Sequence, residues 1–246
     1  KENERDSKAL KRAKSLHASL SQMTIKIDPL ELIVGNRTPG VRGGVVFPEA
    51  GSSWINSEIE TLPTRPQDKF NVRPEDITEF KEEIYPYWQN KCLEDVINNK
   101  IGEEVRAIVK VAKINQKDHA QGHISPNTEK WLRLGPVGLK KEAEKKLQSA
   151  GKNQRDFYKS VIIVQNGAIT FIKRYASLAL ELSKNPDNEK NCSDLLEVSR
   201  ICSKIAEKPA ETLHEALQSL WFLYVILQME SNASSFSPGR ADQYLY

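Results

Sequence analysis

Residues 156–182 read DFYKSVIIVQNGAITFIKRYASLALEL, and this stretch decides how the chain is built. Its apolar residues Phe157, Val161, Val164, Ala168, Phe171, Tyr175, Leu178 and Leu182 recur every three or four positions, the period of one helix face. Lys159, Lys173 and Arg174 fall off that stripe, so the spacing predicts one long helix with a single face on a core. Outward toward the C-terminus, Leu195, Val198, Cys202 and Ile205 mark a second helix. Thr212 and Glu215 then form a capping box that predicts a helix through Met229. From Leu217 to Leu227 that helix is apolar nearly all round, which places it inside a larger body.

Outward in the other direction the pattern is less regular. A short charged helix is predicted over 139–147, a loop-rich stretch over 115–138, and two helices over 103–112 and 92–99. Ile77, Phe80 and Ile84 give a helix after Pro74, stopped by Pro86. Residues 37–67 hold Gly40, Gly43, Gly44, Gly51, Pro39, Pro48, Pro63 and Pro66, so they are not one helix. Yet Val45, Val46, Phe47, Trp54, Ile55, Ile59 and Leu62 give the segment much to bury. An irregular segment packed by its own apolar side chains is functional or architectural rather than a linker. Ile25, Ile27, Leu30, Leu32, Ile33 and Val34 form a short extended stretch, and Leu10, Ala13, Leu16, His17 and Leu20 return to helical spacing.

Composition narrows the function classes. The 246 residues carry 36 Lys+Arg and 33 Asp+Glu, a net charge of +3 that is too small to imply a nucleic-acid partner. The longest apolar run, 220–227, is well short of the ~20 residues that cross a bilayer, which argues against a membrane role. Cys92, Cys192 and Cys202 are far apart and odd in number, with no CxxC pair, so neither a disulfide framework nor a zinc site is expected. A reducing, cytoplasmic setting follows. The chain opens without Met in a charged stretch, Lys1-Glu2-Asn3-Glu4-Arg5-Asp6, and ends on Tyr244-Leu245-Tyr246, which reads as a piece of a longer protein.

Few side chains invite chemistry. The polar segment Glu230-Ser231-Asn232-Ala233-Ser234-Ser235-Phe236-Ser237-Pro238-Gly239 follows directly on the most apolar helix. It is either a turn around Pro238-Gly239 or the polar lining of a cavity, because unpartnered polar groups beside a core are costly. In Gln121-Gly122-His123-Ile124-Ser125-Pro126-Asn127, His123 is either a surface imidazole or a group that reaches substrate and titrates near neutral pH. His17, His119 and His214 are assigned no role. Cys92-Leu93-Glu94 offers a thiol beside a carboxyl, but it reads as a cysteine on a helix surface. Cys192 and Cys202 read as structural. Residues 61–68, with Arg65 and Asp68 among prolines, suit a subunit or domain contact. No phosphate loop, metal cluster or Ser/His/Asp arrangement is visible.

Several blocks, taken in order, carry a resemblance. They are Glu31-Leu32-Ile33-Val34-Gly35-Asn36-Arg37-Thr38, Val46-Phe47-Pro48-Glu49, Trp54-Ile55, residues 61–68, and Ile84-Tyr85-Pro86-Tyr87-Trp88. After them come Gly122-His123-Ile124-Ser125, Arg174-Tyr175-Ala176, Glu215-Ala216-Leu217-Gln218 and residues 237–246. Together they resemble the glycyl radical enzymes, in the pyruvate formate-lyase-like branch that includes glycerol and diol dehydratases.

The resemblance implies an α/β fold, mostly helical in this chain, in which residues 1–246 form the N-terminal part of a ten-stranded α/β barrel. It implies a lyase or dehydratase, formate acetyltransferase-like, acting on a small polar substrate by thiyl hydrogen abstraction. It also implies an anaerobic, cytoplasmic homodimer whose glycyl radical is installed by a separate radical-SAM activating enzyme. The thiyl Gly-Cys-x-Glu loop and the Arg-Val-x-Gly radical site do not occur in the sequence, so no cofactor, metal or catalytic residue is assigned to this chain. By the same resemblance His123 and Ser235 contact substrate, Ser234 stands where diol dehydratases carry His and tunes selectivity, and Asn127 is a further orienting candidate. The rival readings are an incomplete or split chain that acts only as an interaction or structural module, and an ordinary helical scaffold with no chemistry.

Overall fold

The computed structural model describes residues 6–112, 124–231 and 235–245. Predicted substrate contacts His123 and Ser234 lie outside the described residues. In chain order the α-helices are α1 (Lys8–Gln22), α2 (Ser53–Glu58), α3 (Pro74–Glu79), α4 (Tyr85–Trp88), α5 (Leu93–Lys100) and α6 (Glu103–Val111). They continue as α7 (Thr128–Gln148), α8 (Lys152–Leu182), α9 (Cys192–Glu207), α10 (Leu213–Glu230) and α11 (Ala241–Tyr244). Among the described residues there is no strand, only an isolated parallel bridge between Ile124 and Phe236. The chain divides into two units, one of residues 1–37, 125–230 and 237–246, the other of residues 38–124 and 231–236.

The first unit is built on α8, against which α1, α7 and α9 pack. Phe171, Tyr175 and Phe222 meet in its centre with ring centroids 5.1–5.8 Å apart, amid buried Leu16, Leu20, Ile172, Leu195, Ile201 and Cys202. The predicted stripe on α8 is buried at Ala168, Phe171 and Tyr175, whereas Phe157 is 60% exposed. The close crossing lies farther along: a Cβ on Gly167 would stand 3.1 Å from His17 Cα, so α1 and α8 meet backbone to backbone there. Glycine permits that approach because it presents no side chain.

One sequence expectation changes here and two are made more specific. Residues 128–138 are helical rather than loop. Gly135, at φ 61° and ψ 176°, breaks α7, and Pro136 restarts it at once, because a first-turn proline has no N–H to lose. The extended stretch before Val34 has no ladder partner; the side chain of Gln218 pairs with its backbone instead. Finally, α10 opens on its capping box, with Glu215 N–H donating to Thr212 Oγ1 and Thr212 N–H to Glu215, but it is not buried all round. Phe222, Val225 and Ile226 face the core while Leu213, Leu217 and Trp221 are exposed.

The second unit has a smaller core of Ile55, Ile59, Leu62 and Phe80. Pro86 does not stop its helix. Residues 80–84 widen into a π turn whose last bond runs from Tyr85 N–H to Phe80 O, and α4 carries Pro86 onward. Widening the turn relieves the clash a proline ring makes with the preceding carbonyls. Cys92 is fully buried as the residue that opens α5, not a helix-surface thiol as predicted. Among the described residues no helix is long and apolar enough to cross a membrane.

Candidate functional site

The residues predicted to touch substrate come from two stretches, 123–127 and 234–235. In the second unit, the backbone of Ile124 pairs in parallel with that of Phe236. These are the residues that follow His123 and Ser235 in the sequence. Ser235 is half-buried and Ile124 is 55% exposed. The bridge therefore forms on the border between core and solvent.

In the first unit, the continuations of the same stretches are also tied. Ser125 Oγ donates to Ser237 O at 3.2 Å. Gly239 sits at φ +68°, and a Cβ there would stand 2.8 Å from Ser125 Oγ. Glycine is thus required at 239 twice over, by conformation and by space, although among the described residues no turn hydrogen bond closes around Pro238-Gly239. Sequence reasoning passed over Ser125; a hydroxyl one residue before Pro126 was the available signal. Asn127 is the N-cap of α7, its Oδ1 accepting from Lys130 N–H at 3.0 Å. That role leaves only its amide Nδ2 to donate elsewhere.

Other motif residues serve as staples of the first unit. Gln218 accepts from Val34 N–H at 2.8 Å and donates to Val34 O at 2.7 Å, replacing a strand partner with one side chain. Trp221 Nε1 donates to Gly35 O at 3.0 Å, and His214 meets Leu32 O at 2.8 Å. The Tyr175 hydroxyl accepts from Asn36 N–H and donates to Asn36 Oδ1. Burial pushes that phenol well above its ordinary range, so it stays protonated. Arg174 closes α1 by donating to Leu20 O and Met23 O, satisfying carbonyls at a helix end.

Glu215 is fully buried. Burial opposes its charge, but hydrogen bonds from Lys204, the Glu211 N–H and Arg200 outweigh that and hold its carboxyl at about 2. Cys202 is inert for the opposite reason: burial alone pushes its thiol up to about 12, where almost no thiolate exists at neutral pH. The residues before Cys92, Cys192 and Cys202 are Lys91, Asn191 and Ile201, so none sits in a Gly-Cys-x-Glu loop.

Comparison with known proteins follows the same lines. Residues 1–246 match the family model described as pyruvate formate lyase-like. The glycerol-bound B12-independent glycerol dehydratase from Clostridium butyricum superposes with a TM-score of 0.91 at 33% identity, covering 100% of this chain and 32% of that one. A glycyl radical enzyme from Archaeoglobus fulgidus gives a TM-score of 0.88 at 30% identity, again covering 100% and 32%. Isethionate sulfite-lyase from Nitratidesulfovibrio vulgaris is 30% identical over 96% of this chain and 31% of its own length. The chain thus spans about a third of the length of the relatives it matches.

Proposed function

Because the chain belongs to the pyruvate formate lyase-like family, we propose that it forms the N-terminal part of a glycyl radical lyase or dehydratase that acts on a small polar substrate. On this reading residues 1–246 contribute to a ten-stranded α/β barrel of a cytoplasmic, anaerobic homodimer. A glycyl radical, installed by a radical-SAM activating enzyme on a glycine outside these residues, supplies the one-electron oxidant for a cysteine thiol that abstracts hydrogen. The chain's own task is to hold the substrate. His123, Ser235 and Ser234 orient its hydroxyl or charged group, and Asn127 offers the Nδ2 donor that its cap leaves over. Orientation matters because a thiyl must meet one C–H bond at near-attack distance.

The observation that carries this reading is the parallel bridge between Ile124 and Phe236. A joint role for His123 and Ser235 requires their two stretches to run side by side, and this pairing supports it. The relatives are named for glycerol and isethionate, one dehydrated and one losing sulfite, so the leaving group is tested rather than assumed. The gene beyond the codon for Tyr246 should encode a Gly-Cys-x-Glu loop and a C-terminal Arg-Val-x-Gly. Its product, activated anaerobically, should show a glycyl radical signal and turn over one member of a panel of diols, sulfonates and aryl acetates. His123→Ala and Ser235→Ala should leave the signal intact and lower turnover by about 100-fold. A gene that continues without those motifs overturns the reading.

A second reading, an interaction module, is favoured by one feature: Leu213, Leu217 and Trp221 expose an apolar stripe on α10. A soluble, cooperatively melting monomer of this chain supports the module. Aggregation supports a severed half-barrel.

A further inference from the structure

The second unit forms a half-open cavity of about 640 Å³, lined by residues between 38 and 84. That volume lies within the ~300–1,000 Å³ of small-molecule sites. Its walls are apolar: Phe47, Trp54, Ile59, Leu62, Phe70 and Phe80. Of the predicted substrate residues that the structure describes, neither Asn127 nor Ser235 lines it.

Three observations indicate a binding site rather than a packing fault. The first is an orphan donor. Trp54 Nε1 is buried without a hydrogen-bond partner, although an indole N–H at such a position ordinarily finds one. It lies against Gly51, whose missing Cβ would stand 2.9 Å from Nε1 and from Cδ1, so any larger residue at 51 would displace the indole. The second is the π turn at residues 80–84, which accommodates Pro86 and in doing so contributes Phe80 and Ile84 to the wall. Single π turns are rare and recur at functional sites. The third is the loop on the other side, where Arg42 is held at φ 56°, a left-handed conformation unfavourable for a residue with a side chain. Asn71 fixes it there, donating from its backbone N–H to Arg42 O at 3.1 Å and from Nδ2 to Val41 O at 2.9 Å. Strained backbone persists only where its surroundings over-determine it, and it gathers at ligand clamps.

The rim selects the charge. Arg73, the cation among the lining residues, is already paired with Asp76 at 2.6 Å and has Glu79 beside it, so the lining offers an anion no free positive partner. We propose that this cavity binds a neutral, largely apolar small molecule, aromatic or branched, with one hydrogen-bond acceptor that meets Trp54 Nε1. The inference stands apart from the reading of the chain as part of a radical enzyme.

The neutral ketone dye 6-propionyl-2-dimethylaminonaphthalene tests it, because its emission reports both apolar surroundings and hydrogen bonding at its carbonyl. The full-length gene product should bind it saturably, with blue-shifted emission and one site that Val46→Trp removes. Val46→Trp introduces an indole from a half-exposed wall position and should abolish that binding without altering the far-UV circular dichroism or the melting temperature. Trp54→Phe removes the donor together with part of the ring; it should weaken binding about fivefold, and the further blue shift of the emission is the readout specific to the lost donor. The anionic dye 8-anilinonaphthalene-1-sulfonate should bind about tenfold more weakly than the neutral one. Non-saturable binding, or equal binding by Val46→Trp, overturns the site. Unchanged affinity in Trp54→Phe overturns the donor's role, and equal affinity for the anionic dye overturns the neutral class.

Discussion

The two units answer the problem of burying polar backbone in opposite ways. In the first, long helices satisfy most of it internally, and side chains such as Gln218, Tyr175 and Arg174 close what the helices leave open. In the second, short helices and loops leave less to a regular ladder, and the chain is held in less favourable conformations. The three non-glycine residues at positive φ among those described, Arg42, Asp68 and Asn90, all lie there. So does the cavity. A unit stapled by reciprocal hydrogen bonds should respond to mutation as a close-packed core does. A unit that already contains a void should respond less.

Phe222→Ala and Phe80→Ala put that contrast to the sharpest test. Phe222 is fully buried against Phe171 and Tyr175, so its truncation leaves a cavity that rigid rings cannot fill. We expect a loss of about 3–5 kcal/mol in urea unfolding. Phe80 is as deeply buried but already lines a void, so its truncation enlarges a gap rather than opening one, and about half that loss is expected. Equal losses would break the comparison.

Gln218→Ala comes next. It strips partners from both the N–H and the C=O of Val34, two groups sealed from water. Each unsatisfied group costs about 1–3 kcal/mol; with the cost nearer the lower end for each of two adjacent groups, a total of about 2–4 kcal/mol is expected in the same assay. Gln218→Glu keeps the acceptor for the Val34 N–H but places a buried charge against the Val34 carbonyl. It should be no better than Ala.

That staple also shows where sequence reading stops. The long helices were legible because their apolar residues recur at a period that no strand could bury, as at Phe171 and Tyr175. The Thr212–Glu215 cap was legible because both partners lie within one turn. Gln218 was not, since its partner is 184 positions away and an amide inside an apolar helix has no local signature. Pro86 misled for a related reason. Proline forbids a bond at one residue, but whether the chain then turns away or widens and continues depends on what packs against it. In the candidate site, the left-handed backbone at Gly239 was foreshadowed by the Pro238-Gly239 dipeptide. The pairing of Ile124 with Phe236 joins segments whose proximity no spacing rule encodes.

Acid titration sharpens the contrast further. The folded-state pKa of Glu215 lies at about 2, below its ordinary value of 4.5, so the unfolded chain binds the extra proton first. The contribution of Glu215 is therefore complete above pH 4.5 and is lost as pH falls toward 2. On the order of 2 kcal/mol is expected to disappear across that window, and Glu215→Gln should flatten this part of the profile. Glu142 and Glu197 are lowered too, by their lysine and arginine partners, but those pairs are exposed. Salt screens exposed pairs and spares the buried one. Titrating wild type and Glu215→Gln at high ionic strength should thus isolate the Glu215 step, with a steeper acid loss in wild type.

The smallest effect has the opposite sign. Arg42→Gly should stabilise the chain, because glycine adopts φ 56° without the clash that a Cβ meets there. The gain is partly offset, since glycine frees the unfolded backbone, so a net of about 0.5 kcal/mol is expected in urea unfolding. The equivalent change in the first unit, Ser149→Gly, relieves nothing, because Ser149 ends α7 at φ −100°. It should be neutral or slightly destabilising. Opposite signs at the two positions would show that the second unit carries backbone strain that the first does not. Should Arg42→Gly instead lower stability, the left-handed turn is held in place by its arginine, and the loop beside the cavity is relaxed as it stands.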